Sequence, residues 1–200
     1  MHYMSFLKYF MRRGADFSEP ALGLYRAAVA AARAPTFYAD FGVPDTPDGR
    51  FDLVAVHVFL ALRRLKRETG PAQGDAAALA QALTDLMFAD MDRNLRELGV
   101  GDLGVGRQVK ALAAAFRGRV GAYDAALDRP AGDPALALAL ERNLWRGAGP
   151  KAGRNAAILA PYVRLADQSL ATQSWDALAS GTVVFPPPPE GQDSLDYPPP

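Results

Sequence analysis

The sequence predicts an all-α protein: a single-domain helical bundle of six to seven helices with a disordered Pro-rich C-terminal tail. Three observations carry that prediction. Apolar residues recur with helical spacing through the long runs, glycine- and proline-rich breaks separate those runs, and the one extended-looking segment, residues 182–185, is only four residues long. The chain divides into an N-terminal amphipathic segment (1–17), a helical body (18–180) and an extended tail (181–200), and its 200 residues are enough to bury one real core.

The elements follow in order. Phe6, Leu7, Tyr9 and Phe10 precede Arg12 and Arg13, the reverse of the basic-then-apolar order of a secretory signal. A short amphipathic helix of this kind docks on its own domain or lies on a membrane surface. Ser18, Glu19 and Pro20 supply a cap and a first-turn proline for a helix reaching about Arg33, where Pro35 ends it. Residues 41–49, with two prolines and two glycines, read as a loop whose aromatic start packs down. From Arg50 a helix places Phe51, Val54, Val58, Phe59, Leu62 and Leu65 on one face and Leu53, Val56 and Leu60 opposite, with His57 beside them. Such a helix is central to the core or leaves one face for a partner. Arg63, Arg64, Lys66 and Arg67 close it, where cations suit the helix dipole.

After the break at 70–75, Asp75 is the expected cap of a helix from Ala76 to Leu98, ended by Gly99. Leu83, Leu86, Met87, Met91 and Leu98 form its stripe, and Asp90 and Asn94 fall inside it. A carboxylate and an amide on an apolar face need partners; an ion pair of Asp90 with Arg50 is one expectation. The next helix, from about Val105 to Leu127, gathers Val105, Val109, Leu112, Phe116, Val120, Tyr123 and Leu127 within roughly 80°. Asp133 and Pro134 open a helix to Trp145, residues 147–153 form a joint, and 154–179 are one or two helices in which Pro161 is either a first-turn residue or an interior kink.

Composition removes several chemistries. The 22 basic and 22 acidic residues balance, so no DNA partner is expected. Cysteine is absent and only His2 and His57 carry imidazoles, which leaves no thiolate site and little basis for a zinc site. The longest apolar run, about ten residues from Leu53, is far short of a membrane span. The reading is a cytoplasmic protein with peripheral membrane contact at most.

Gly99, Gly101 and Gly104 spell G-x-G-x-x-G, but a long helix precedes them where a dinucleotide site requires a buried strand. Arg107 and Gln108 stand where a phosphate loop needs lysine and a hydroxyl. Asp85, Asp90 and Asp92 point in different directions on their helix and make no metal site. No nucleophile constellation accompanies Asp90 and His57, so no catalytic residue is expected. What remains is a surface: Phe88 and Leu95 lie off the main stripe of one helix, and Leu53, Val56 and Leu60 off that of another. Left open, these faces would form an apolar groove edged by His57, Asp92 and Arg96, suited to a helical client.

Two stretches then carry a resemblance. LYRAAVAAARAPTFYADFGVPDTPDGRFDLVAVHVFLALRRLK and DLMFADMDRNLRELGVGDLGVGRQVKALAAAFRGRVGAYDAAL, within Leu24 to Trp145, resemble the ubiquinol-cytochrome c chaperone family. The matching motif positions include Arg50, Asp52, His57, Asp85, Phe88, Asp90, Asp92, Asn94, Arg96, Gly99, Gly101, Asp102 and Gly104. The resemblance implies a non-enzymatic, cofactor-free chaperone that helps newly made cytochrome b enter the respiratory bc1 complex, working at the cytoplasmic face of the inner membrane. With the open groove as the client's seat, Leu53, Val56, His57, Leu60, Phe88, Asp92, Leu95 and Arg96 are the expected client contacts, and Arg50, Asp52, Asp90, Asn94, Gly99, Gly101 and Gly104 the expected structural positions. A ribosome- or RNA-binding adaptor using Arg63 to Arg67 is the competing expectation.

Overall fold

The computed structural model describes residues 19–146 and 151–190. Among them run eight α-helices and no strand: α1 (Glu19–Ala32), α2 (Pro35–Ala39), α3 (Pro47–Lys66), α4 (Gln73–Glu97), α5 (Asp102–Leu127), α6 (Ala135–Leu140), α7 (Ala152–Ala171) and α8 (Trp175–Ala179). A 3-10 turn, Gly70–Ala72, leads into α4, and a π-turn, Glu141–Trp145, extends α6. The all-α expectation holds, and the count exceeds it because α2 and α8 are five-residue helices too short to show a period. The segment 1–17 and the Ser18 cap lie outside the described residues.

Several boundaries move for local reasons. α3 begins three residues earlier than expected, at Pro47, because Thr46 caps it by accepting a bond from the Gly49 amide at 3.2 Å and Pro47 occupies the first turn. α4 begins at Gln73, so Asp75 sits inside its first turn and is not its cap. α5 begins at Asp102, with Gly101 at its N-cap. Pro161 is interior to α7, on an exposed face where the carbonyl its ring frees has access to water.

α3 is the axis of the molecule. Of its 20 residues 14 are buried, and α1, α4, α5, α7 and the π-turn all pack against it. Each fully buried Val, Leu or Phe adds about 1.5–3 kcal/mol over an exposed one, so an all-round apolar helix gains most at the centre of a bundle. The loop 41–46 also packs down: Phe41 and Val43 are buried, and the Phe41 carbonyl accepts from Trp145 Nε1 at 3.0 Å and Asn155 Nδ2 at 2.7 Å.

The C-terminal end of α3 is fixed by charge. Arg63 donates to Asp124 and Asp128 beside α5 and to Asp167 of α7, the last two at 2.6 and 3.2 Å. Lys66 reaches Asp124 at 3.3 Å and Arg67 reaches Asp167 at 2.8 Å. Arg64 turns the other way, to the Gln173 carbonyl at 2.9 Å and Glu68 at 2.8 Å. The basic run is therefore a staple joining α3, α5 and α7.

His57 is buried at the middle of α3. Its Nδ1 lies 2.8 Å from the Leu53 carbonyl, which can only accept, so Nδ1 carries the proton and Nε2 accepts from the Tyr162 hydroxyl at 2.9 Å. The rings of Phe37, Tyr162 and Phe185 surround it. Burial drives the imidazole pKa down to about 4, partly opposed by the bond to Leu53.

Two outcomes follow from this core. Arg63→Met, which removes one cation from three carboxylates while Lys66 and Arg67 still reach two of them, destabilises the fold by about 1–3 kcal/mol in urea unfolding, and Arg63→Lys recovers only part because a point charge cannot fork to three partners. For His57 the folded pKa lies below the unfolded value near 6.5, so between pH 6.5 and 4 the unfolded chain binds the extra proton and the residue weakens the fold as pH falls. The stability gap between wild type and His57→Gln therefore narrows by about 2–3 kcal/mol from pH 7 to pH 4.5, read by urea unfolding at each pH; a gap independent of pH contradicts the neutral, buried imidazole.

Candidate functional site

Most of α3 is enclosed, but the far end of the α4–α5 hairpin is not. The buried residues of α4 stop at Met87, ten residues before its end. Among the described side chains of α5, only Val105 is buried before Ala113. Residues 88–112 thus form a two-helix arm running beyond the main core. Its root still touches the core: Phe88 meets Phe116 edge-on at 5.9 Å, and Met91 and Leu112 are half-buried against the core's edge. Leu95 and Val100 are half-buried, and Leu98 is 63% exposed at the tip.

The tip is ordered by polar contacts. Gly99 adopts φ 82°, a left-handed conformation that ends α4, and its amide donates to the Arg96 carbonyl at 2.9 Å while Val100 donates to Leu95 at 3.1 Å. Arg96 spans the turn, donating to Asp92 at 2.7 Å and to Asp102 at the start of α5. These three side chains are half-exposed or exposed, so their pairing orients more than it stabilises. The glycines at 99, 101 and 104 serve this helix-to-helix turn, with no strand before them.

Asp90 braces the arm's root. The Tyr25 hydroxyl of α1 donates to it at 2.9 Å and Asn94 Nδ2 at 3.3 Å. Burial first, and the Asp90 carboxylate second, push the Tyr25 phenol well above its ordinary value and keep it a donor. The expected pair with Arg50 does not form: Arg50 bonds Asp45 at 2.6 Å, five residues back, on the surface. The brace joins α4 to α1, where α3 was expected.

The expected groove is also corrected. Leu53, Val56, His57 and Leu60 are all at most 2% exposed, with α1, α7 and an extended strap after α8, residues 182–185, packed against α3 beside its other neighbours. They offer no surface in this conformation. Phe88, Asp92, Leu95 and Arg96 do share the arm.

A second polar cluster had no sequence expectation beyond Asp52. This carboxylate is fully buried between Arg119 of α5 at 2.6 Å and Arg146 at 3.4 Å. Arg119 also lies over the Phe51 ring, 5.5 Å from its centre, and Arg146 takes a left-handed φ of 54° that lets it reach both Asp48 and Asp52. Burial pushes the Asp52 carboxyl up to about 6 against the pull of the two guanidiniums. Taken alone it therefore adds stability as pH falls from 6 toward 4, opposite in sign to His57. Arg119 was findable: on the helical wheel it sits about 20° outside the apolar stripe of α5, where a long cation is half drawn in.

Among the described residues, no group of three potential ligands could hold a metal ion, and no helix is long and apolar enough to cross a membrane. The arm's half-buried and exposed apolar residues suit binding a polypeptide.

Comparisons with known proteins bear on the family. The chain spans 47% of ubiquinol-cytochrome c reductase complex assembly factor 1 of Drosophila melanogaster, being 28% identical over 123 residues, 61% of this chain. The similarly described protein of Xenopus laevis is 27% identical over 169 residues, 84% of this chain and 80% of its own length. The crystal structure of the Cbp3 homolog from Brucella abortus superposes with a TM-score of 0.70 at 44% identity, covering 90% of this chain and 96% of that one. A family model described as ubiquinol-cytochrome C chaperone matches residues 39–185, through the strap as well as the helices. The chain belongs to the ubiquinol-cytochrome C chaperone family.

Proposed function

We propose that this protein is a non-enzymatic assembly chaperone for the ubiquinol–cytochrome c reductase (bc1) complex. It binds newly made cytochrome b at the cytoplasmic face of the inner membrane, and the α4–α5 arm makes the contact. The observation that carries the site is the arm itself. Residues 88–112 hold apolar side chains outside the main core, ending in Leu98 at 63% exposure, with Arg96 tied across the tip. Water-exposed leucine at the end of a helical hairpin suits an apolar segment that has not yet been inserted or packed. Family membership and the assembly-factor relatives support the same reading. Phe88, Asp92, Leu95 and Arg96 are the contact residues that fit it.

The ribosome or RNA adaptor loses its main footing. Arg63, Arg64, Lys66 and Arg67 each face a carboxylate within the fold, so little of their charge is left to neutralise phosphate.

The decisive experiment places photoreactive residues at Leu98 and at Lys66 in cells making the bc1 complex. Cytochrome b is recovered from position 98 only; ribosomal RNA or protein from position 66 reverses the assignment. Two variants, one single and one double, separate scaffold from contact. Asp90→Ala removes the acceptor of Tyr25 and lowers stability by about 1–2 kcal/mol in urea unfolding. Asp92→Ala together with Leu98→Glu leaves stability within about 0.5 kcal/mol while bc1 assembly, read by complex accumulation on native gels, falls severalfold.

A further inference from the structure

After α8 the chain runs extended over 182–185, and its contacts have a pattern the fold does not require. Thr182 donates to the Ala177 carbonyl at 2.8 Å. Val183 is buried at 6% exposure, Val184 points out at 64%, and Phe185 turns in against the His57 ring at 5.2 Å. Successive side chains thus alternate in, out, in, as in a β-strand. The partner is not a strand. The Gln173 side chain supplies both polar groups of one, donating from Nε2 to the Val184 carbonyl at 2.7 Å and accepting from the Val184 amide at 3.0 Å.

A carboxamide that closes both bonds on one residue reads an extended backbone whatever its side chain. On one side Val183 is buried in the core, and on the other the Phe185 ring packs edge-on against the neutral His57 imidazole, which itself contacts the rings of Phe37 and Tyr162. Pro186 to Pro189 follow at once, and with no amide protons they cannot extend the pairing. Upstream, Gly181 (φ 84°) lies close against Pro20 and Gly23 of α1, a contact any added side chain at Gly23 would break. The strap is a three-residue ligand, rooted at Gly181 and ended by proline.

We propose that Gln173 and the His57 ring form a peptide-binding seat that the chain's own residues 183–185 occupy at rest. An extended client segment with the pattern apolar, any residue, aromatic takes their place. This rests on the chaperone reading above and adds a second contact to the arm. A tethered ligand works at an effective concentration of the order of millimolar, so a strap of only weak intrinsic affinity stays seated until a longer segment competes.

The test uses the full chain and a fluorescein-labelled peptide with the sequence of residues 181–190, followed by anisotropy. Phe185→Ala, checked for unchanged helicity and cooperative unfolding, binds the peptide at least tenfold more tightly than wild type. Adding Gln173→Ala, or replacing the phenylalanine of the peptide by alanine, loses that gain. A folded Phe185→Ala chain that binds no more tightly than wild type overturns the seat. Hydrogen exchange on wild type gives an independent reading should the variant fail to fold: the Val184 amide exchanges at least 100-fold faster than core amides of α3, and exchange at the core rate overturns release of the strap. Both measurements use purified protein without client, so their failure leaves the arm reading intact, and failure of the Leu98 crosslink leaves the seat intact.

Discussion

The structure depends on one constraint: α3 has no face that can be given to water. Phe51, Val54 and Phe59 bury one side, and Leu53, Val56, His57 and Leu60 the other. Its neighbours are therefore arranged as a shell, and the polar groups it carries inward must be answered where they stand. Asp52 is answered by Arg119 and Arg146, His57 by Leu53 and Tyr162, and Arg63 by three aspartates. An unanswered buried carboxylate or guanidinium costs several kcal/mol, a large fraction of the stability of a domain this size. These pairings select the one rotation of α3 that satisfies them all.

The arm is what that arrangement leaves over. α4 and α5 have 25 and 26 residues while α3 has 20, so the hairpin outruns the helix it packs on. Among the described residues, burial on α4 stops at Met87, and on α5 it thins before Ala113 to Val105. Local stability falls along such a projection, which is where binding surfaces that must adapt are found. The Tyr25–Asp90 bond stands near this boundary and keeps the arm's root aligned with α1.

What the sequence made legible was periodicity. The stripe of α5 located its buried face correctly at Val105, Phe116, Tyr123 and Leu127, and the break at 128–134 fell between helices, while the one at 70–75 ran three residues into α4. A wheel, however, reports which residues are apolar and not which neighbour covers them. It therefore could not tell that Leu53, Val56 and Leu60 meet other helices and not a client. Long-range polar pairing was illegible for the same reason: Tyr25 and Asp90 are 65 residues apart, and Arg50 turned to Asp45 because a partner one helical turn away needs little chain ordering. Thr46 and Pro47 were visible in the sequence but read as loop, although a hydroxyl followed by proline is also the opening of a helix. The strap's role was hidden in its shortness, since four residues carry no period.

The close approach of Gly181 to Pro20 and Gly23 has a consequence for how the protein is made. The first described helix and the segment after the last one complete each other, so the core cannot close while either is missing. Emerging from the ribosome, α1 has no partner for its end until residues near 181 are free, and the central helix stays short of its full shell through most of synthesis. The domain therefore reaches its finished form only after nearly all of the described chain has been synthesised. A half-made copy leaves the apolar sides of α3 uncovered.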